Sequence, residues 1–309
     1  MTAPHRVVSL LPSATEILFA IGAGDRVVAV THECDHPRDD VARLPRVTSS
    51  ALLTEGASSR EIDTHIRRAR HEGSSIYNLD EAVLTALQPD LIVTQELCEV
   101  CAVAYAQVQQ AVRRLPADVP VVSLEPETLE DICATVAAVG EATGCGRRAA
   151  AVEASMRERV DVIRSLAPPE PRPRMACIEW TDPIFAAGHW VPEMVALAGA
   201  VDPLGTAGRP SVDIPWERVL EARPDVMVLM PCGFGLEHTL EIAKEVTSRP
   251  HFSELPCARS GRVVAVDGSS FFNRPGPRIV DGLEILAAAT RALPGDMLPR
   301  GAAWVGANP

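Results

Sequence analysis

The chain has 309 residues, 47% of them hydrophobic and 23% charged, with a formal net charge of −12. Such a length holds two domains with real cores. The acidic balance excludes a nucleic-acid surface, which needs a basic face against phosphate, and no apolar run approaches the roughly 20 residues that span a bilayer.

The chain starts Met1-Thr2-Ala3-Pro4-His5-Arg6 and passes directly into the strand-like Val7-Val8-Ser9-Leu10-Leu11. No basic stretch followed by an apolar one precedes it. Eight cysteines in a chain this long, without a dense small-domain framework, suit a reducing compartment. A cytoplasmic location is the expectation; an extracytoplasmic one is the alternative if a signal has been removed.

In the first half, apolar strands are predicted at 6–11, 26–30, 90–95 and 119–124. They alternate with helical patterns at 14–22, 58–71, 80–87, 99–114 and 128–143, the pattern of a parallel sheet covered by helices. Arg147 to Leu166 follows as one uninterrupted helix. Val152, Met156, Val160, Ile163 and Ala167 share one face, while Glu153, Arg157, Asp161 and Arg164 share the opposite one. Such a rod reaches roughly 30 Å, and it stops at Ala167-Pro168-Pro169-Glu170-Pro171-Arg172-Pro173. Beyond it, strands are predicted at 174–179, 225–230 and 262–266 and helices at 191–198, 216–222, 236–247 and 277–292. The Gly/Pro-rich tail from Pro294 is expected to be loosely held.

Two echoes relate the halves. Leu84-Thr85-Ala86-Leu87-Gln88-Pro89-Asp90-Leu91-Ile92-Val93 matches Val219-Leu220-Glu221-Ala222-Arg223-Pro224-Asp225-Val226-Met227-Val228. Each is a turn of helix, a Pro-Asp break and an apolar run of the kind that buried parallel strands show. Glu16-Ile17-Leu18-Phe19-Ala20-Ile21-Gly22-Ala23 likewise matches Glu193-Met194-Val195-Ala196-Leu197-Ala198-Gly199-Ala200. The pattern predicts an α/β fold of two Rossmann-like lobes with central parallel sheets: an N-terminal lobe over 1–145, a linking helix over 146–167 and a C-terminal lobe over 168–309. Two lobes make a cleft, a preferred place for a ligand.

Catalytic signatures are missing. Gly22-Ala23-Gly24 and Gly233-Phe234-Gly235 lack the remaining glycine of a dinucleotide fingerprint, and no phosphate loop, GxSxG or HExxH occurs. An enzyme is not expected. The loops at strand ends carry the chemistry instead. Thr31-His32-Glu33-Cys34-Asp35-His36-Pro37 follows one strand, and Gln95-Glu96-Leu97-Cys98-Glu99-Val100-Cys101 follows another. Cys34, Cys98 and Cys101 offer soft ligands for Zn or an Fe–S cluster, with a redox pair or small buried residues as the competing readings. In the second half, Trp180, Phe185, Gly188-His189-Trp190 and the loop Asp267 to Arg278, with Phe271, Phe272 and Arg274, suit the wall of a site for a flat ligand. Core packing of one Phe and a surface place for Arg278 is the alternative. The helix-start carboxylates Glu16, Glu81, Glu193 and Glu217 complement helix dipoles or face a basic partner.

Taken together, Leu11-Pro12-Ser13-Ala14-Thr15-Glu16, Cys34-Asp35-His36-Pro37, the Pro-Asp strands, Gly188 to Gly199 and Asn273-Arg274-Pro275-Gly276-Pro277-Arg278 resemble the substrate-binding proteins of cobalamin and ferric-siderophore ABC importers. The narrower likeness is to the cobalamin-binding branch, over roughly residues 6 to 292. The resemblance implies lobes bridged by one backbone helix, little hinge motion and a ligand held without chemistry. It places Phe185, Phe271 and Arg274 at the ligand. Glu33, Ser50, Gln95 and Ser211 stand where the family's cobalamin binder carries aromatic residues, so Glu33 and Gln95 enter as polar ligand contacts. Docking on a permease through one glutamate per lobe falls on Glu217; the first-lobe position is Ala82, with Glu81 beside it. The expected ligand is cobalamin or a related corrinoid, with a ferric chelate or a cytoplasmic metal or Fe–S protein as alternatives. A monomer is the expected state.

Overall fold

The computed structural model of the chain describes residues 3–50, 56–71, 76–95, 105–115 and 118–306. It divides into two compact units, one of Met1–Pro126 with Glu130–Ser155 and one of Glu127–Leu129 with Met156–Pro309. The division falls inside the long helix rather than at its end.

The first unit contains β1 (Val7–Ser9), α1 (Pro12–Ala20), β2 (Val27–Val30), α2 (Arg38–Val41), β3 (Thr48–Ser50), α3 (Ser59–His71) and β4 (Tyr77–Leu79). It continues with α4 (Glu81–Leu87), β5 (Leu91–Thr94), α5 (Tyr105–Val112), β6 (Val121–Ser123), α6 (Leu129–Ala142) and the start of α7 (Gly146–Ser165). The sheet runs β2-β1-β5-β6 with every pair parallel, Val7 opposite Leu91 and Ile92 opposite Val121. Val8, Leu10, Ile92 and Leu84 lie fully inside, as continuous apolar strands covered by helices require. The antiparallel pair β3–β4 is an addition to the predicted elements. At three residues each, its strands are too short to carry a readable period. Of the helix predicted over 99–114, residues 99–104 lie outside the described residues.

Helix α7 runs unbroken. Met156 and Ile163 are buried, Val152 and Val160 are half-buried, and Ala167 lies beyond the helix end and is exposed. Arg159, on a flank of that stripe, ion-pairs with Asp281 and with Glu284 at 2.8 Å. These carboxylates raise the guanidinium pKa further still.

The second unit adds β7 (Met175–Thr181), β8 (Ile184–Ala186), α8 (Val191–Leu197), β9 (Val212–Asp213), α9 (Trp216–Ala222) and β10 (Val226–Leu229). Then come α10 (Leu236–Thr247), α11 (Pro256–Arg259), β11 (Val263–Val266), α12 (Gly268–Phe271), α13 (Ile279–Arg291) and β12 (Ala302–Trp304). Its sheet runs β12-β11-β10-β7-β8-β9. The central β11, β10 and β7 are parallel, and β12, β8 and β9 add antiparallel edges that the sequence pattern did not predict. The tail corrects an expectation: it is held. Trp304 is buried opposite Val264, and its indole N–H donates to the Asp296 carbonyl at 2.9 Å. The open edge of β11 supplies backbone partners, and the indole supplies apolar area.

Candidate ligand-binding site

Open α/β sheets place ligands beyond the carboxyl ends of their strands. In the second unit the ends of β7, β10 and β11 are neighbours. Trp180, near the end of β7, stacks on Phe234 from the loop after β10, with ring centroids 5.5 Å apart and planes 26° apart. His238, in the first turn of α10, meets Phe234 edge-on at 4.2 Å. All three side chains are partly exposed. The loop after β11 is tied to the same edge. Asp267 caps α12 by accepting the Ser270 N–H at 2.8 Å, and the Ser269 N–H donates to the Phe234 carbonyl at 3.1 Å. Gly268 permits that approach, since a Cβ there would lie 2.5 Å from the Pro231 carbonyl oxygen.

A β-bulge interrupts the β7–β8 register. Ile178 faces Ala186 and Trp180 faces Phe185, which leaves Glu179 as the extra residue. The Ser211 hydroxyl donates to Glu179 Oε2 at 2.5 Å, and the nearby Gly188 N–H favours the charged carboxylate. Burial pushes the Glu179 pKa up, and these two donors partly offset it. Burial likewise raises Asp202, whose carboxylate accepts the Leu204 and Gly205 N–H groups at 2.8 Å each. The His189 pKa is pushed down by burial against an opposing pull from Glu127.

The predicted site residues are distributed as follows. Phe185 stands on β8, partly exposed, opposite Trp180. Phe271 is half-buried under the tail: a Cβ on Gly301 would meet its ring at 2.3 Å, and the Arg278 guanidinium lies 5.7 Å from its centroid. Arg274 is buried at 8% exposure on the same loop. Trp190 is buried, its indole N–H donating to the Phe272 carbonyl at 2.9 Å, and Phe272 is core. In the first unit, Glu33 is partly exposed after β2, and its Oε1 lies 3.2 Å from His32 Nε2. His32 Nδ1 bonds the Thr48 hydroxyl at 2.7 Å. Gln95 is buried at the end of β5.

Cys34 is buried, with its Sγ 3.1 Å from the Thr15 hydroxyl and 3.4 Å from that of Thr31. Cys98 and Cys101 lie outside the described residues. Among the described residues, no group of three His, Cys, Asp or Glu side chains is placed to hold a metal ion. Glu81 pairs with Arg114 at 2.5 Å, and Glu217 is exposed on α9.

Three residues of this edge escaped the sequence reading. Glu179 sits inside an apolar strand, and only its partner strand reveals the bulge. Phe234 stood between glycines read as an incomplete dinucleotide motif, and His238 was one polar residue of an amphipathic helix. An aromatic flanked by glycines directly after a buried strand was the available signal.

The family model described as "Periplasmic binding protein" matches residues 7–269. The chain belongs to this periplasmic binding protein family. It is 27% identical over 292 residues to the vitamin B12-binding protein of Vibrio cholerae serotype O1, covering 91% of this chain and 87% of that protein. It is 25% identical over 296 residues to an uncharacterized ABC transporter substrate-binding lipoprotein of Bacillus subtilis, covering 92% and 79%. The apo periplasmic heme-binding protein RhuT of Roseiflexus sp. RS-1 shares the fold, with a TM-score of 0.67, 22% identity and coverage of 93% and 97%. These likenesses correct the cytoplasmic expectation. A relative described as a lipoprotein and a family described as periplasmic point to an extracytoplasmic location. Cysteine content misled here: none of the described cysteines forms a disulfide, and five of the six are buried as small apolar side chains, so they say little about compartment. The family is one of solute-binding proteins, with a small-molecule ligand and an ABC permease as its partners.

Proposed function

We propose that this periplasmic binding protein takes a corrinoid on the carboxyl-edge loops of its second unit and releases it unchanged, without catalysis. The observation that carries the reading is the Trp180–Phe234 stack across the ends of β7 and β10. Paired aromatic rings offer a broad apolar surface to a flat macrocycle, and affinity comes mainly from its burial. Phe185, opposite Trp180, extends that surface. Arg274 supplies the charge that orients polar substituents. The vitamin B12-binding relative, similar over most of both chains, supports the same ligand class.

A second reading has its own observation. His238, beside Phe234 with 43% of its side chain exposed, suits axial ligation of a ferric tetrapyrrole, and a heme binder shares the fold. Exposed Glu217 on α9, with Glu81 on α4, is the proposed contact with a permease. Separate visible-absorption titrations with cyanocobalamin and with ferric protoporphyrin test the assignment. Saturation by the corrinoid at micromolar or lower concentration supports it. Saturation by the porphyrin alone moves the site to the second reading, and binding of neither overturns both.

A further inference from the structure

We propose that Glu179 is a positioning residue of the ligand site, its carboxylate anchoring Ser211 and Gly188 so that the bulge holds Trp180 against Phe234. The inference rests on the aromatic pair being the ligand surface. Glu179 is bonded in two directions. Its side chain accepts from the Ser211 hydroxyl at 2.5 Å, with the Gly188 N–H close enough to favour the charged carboxylate. Its carbonyl accepts the Cys232 N–H at 3.1 Å, two residues before Phe234. The strand bearing Trp180, the loop bearing Phe234 and the segment leading into β9 therefore meet at one residue.

The surroundings are built for close approach. A Cβ on Gly188 would lie 2.4 Å from both the Arg209 carbonyl oxygen and the Ser211 nitrogen. The His189 N–H donates to that same Arg209 carbonyl at 2.6 Å, and the Gly208 N–H returns a bond to the His189 carbonyl at 2.9 Å. Residues 208–211 are thus laced to 188–189 by main chain, and the Glu179 carboxylate ties the lacing to the sheet. A carboxylate at a largely buried place loses hydration that an apolar residue would not lose. Stability alone gives no reason to keep one there. Directing a bulge at the edge of a ligand site does.

The proposal makes Ser211 an anchor rather than a ligand contact. Glu179, without touching ligand, then sets the geometry of the ring that does.

The test uses the full chain with Glu179→Ala, Glu179→Gln and Ser211→Ala, and Trp180→Phe as the reference that identifies the Trp180 near-ultraviolet circular dichroism. Glu179→Gln keeps an oxygen acceptor and is expected to retain both that signature and wild-type affinity for cyanocobalamin within about threefold. Glu179→Ala is expected to lose the signature and to weaken binding roughly tenfold or more, with far-ultraviolet dichroism unchanged. Ser211→Ala, which removes one donor and leaves the acid, is expected to shift both readouts in the same direction by less; it carries the test if Glu179→Ala fails to fold. Retention of the Trp180 signature in Glu179→Ala, or in Ser211→Ala where the first does not fold, overturns the proposal. If the wild type binds no cyanocobalamin the ligand assignment falls, while the dichroism still decides what Glu179 does.

Discussion

Gln88 and Arg223 hold the same left-handed backbone conformation, φ 46° and ψ 59° in one and φ 45° and ψ 59° in the other, each capping a seven-residue helix. Each is followed by Pro-Asp. The Asp90 carboxylate accepts the His5 and Arg6 N–H groups at 2.8 Å each, and Asp225 accepts the Arg174 N–H at 2.8 Å. Asp90 and Asp225 also donate their own N–H groups to the carbonyls of Arg6 and Arg174. Helix end, break and strand entry are therefore the same device used in both units. Left-handed backbone disfavours a side chain with a Cβ. Arg223→Gly is expected to stabilise the protein by up to about 1 kcal/mol, and Gln88→Gly by a similar amount, in urea unfolding. A loss of stability in both would show that the side chains matter more than the backbone strain.

Gly188 has no room for a methyl group. Gly188→Ala pushes a Cβ into the Arg209 carbonyl and the Ser211 nitrogen, both main-chain atoms that cannot swing aside. Overpacking of this kind typically costs about 1–3 kcal/mol, and a loss of that size with weaker ligand binding is the expected result. Wild-type stability and affinity in Gly188→Ala would mean that the segment moves freely.

His189 makes stability depend on pH. Burial holds its folded-state pKa below the ordinary 6.5. As pH falls from about 6.5 toward that lower value, the unfolded chain binds more protons than the folded one, so stability declines through this window and is unaffected above it. The raised pKa values of Glu179 and Asp202 act in the opposite sense in acid, but they are present in any His189 variant. His189 sits at φ 51°, a conformation that Asn tolerates. His189→Asn is therefore expected to lose less Tm than the wild type between pH 7.5 and pH 5. Equal losses would count against a buried neutral imidazole.

How much of this was legible in the sequence follows from how local each signal is. The echoed helix ends are local, and both second echoes close alike. Gly22 and Gly199 take φ 68° and 90°, with Ala23 N–H bonding Leu18 and Ala200 N–H bonding Val195. Glycine after an apolar helix announces that turn. Buried parallel strands are equally visible, because both faces are apolar. Strands β8, β9 and β12 were not visible, since they are two or three residues long and exist only through pairing. The bulge at Glu179 is hidden for the same reason. The bond from the Trp190 indole N–H to the Phe272 carbonyl joins residues far apart in the chain and has no local signal; a sequence shows that a tryptophan is present and not which way it faces. Cys98 and Cys101, the other two thiols of the proposed metal set with Cys34, lie outside the described residues.

The Trp180–Phe234 surface is the proposed seat of the ligand. Isothermal titration of cyanocobalamin into the wild type and into Trp180→Ala measures that directly. Stacking on one ring contributes on the order of 0.5–1.5 kcal/mol beyond area burial, and the lost indole area adds to it. The wild type is expected to bind one equivalent, and Trp180→Ala to bind at least about tenfold more weakly with its fold intact. Wild-type affinity in Trp180→Ala would contradict the central claim, as would a wild-type protein that takes up no corrinoid.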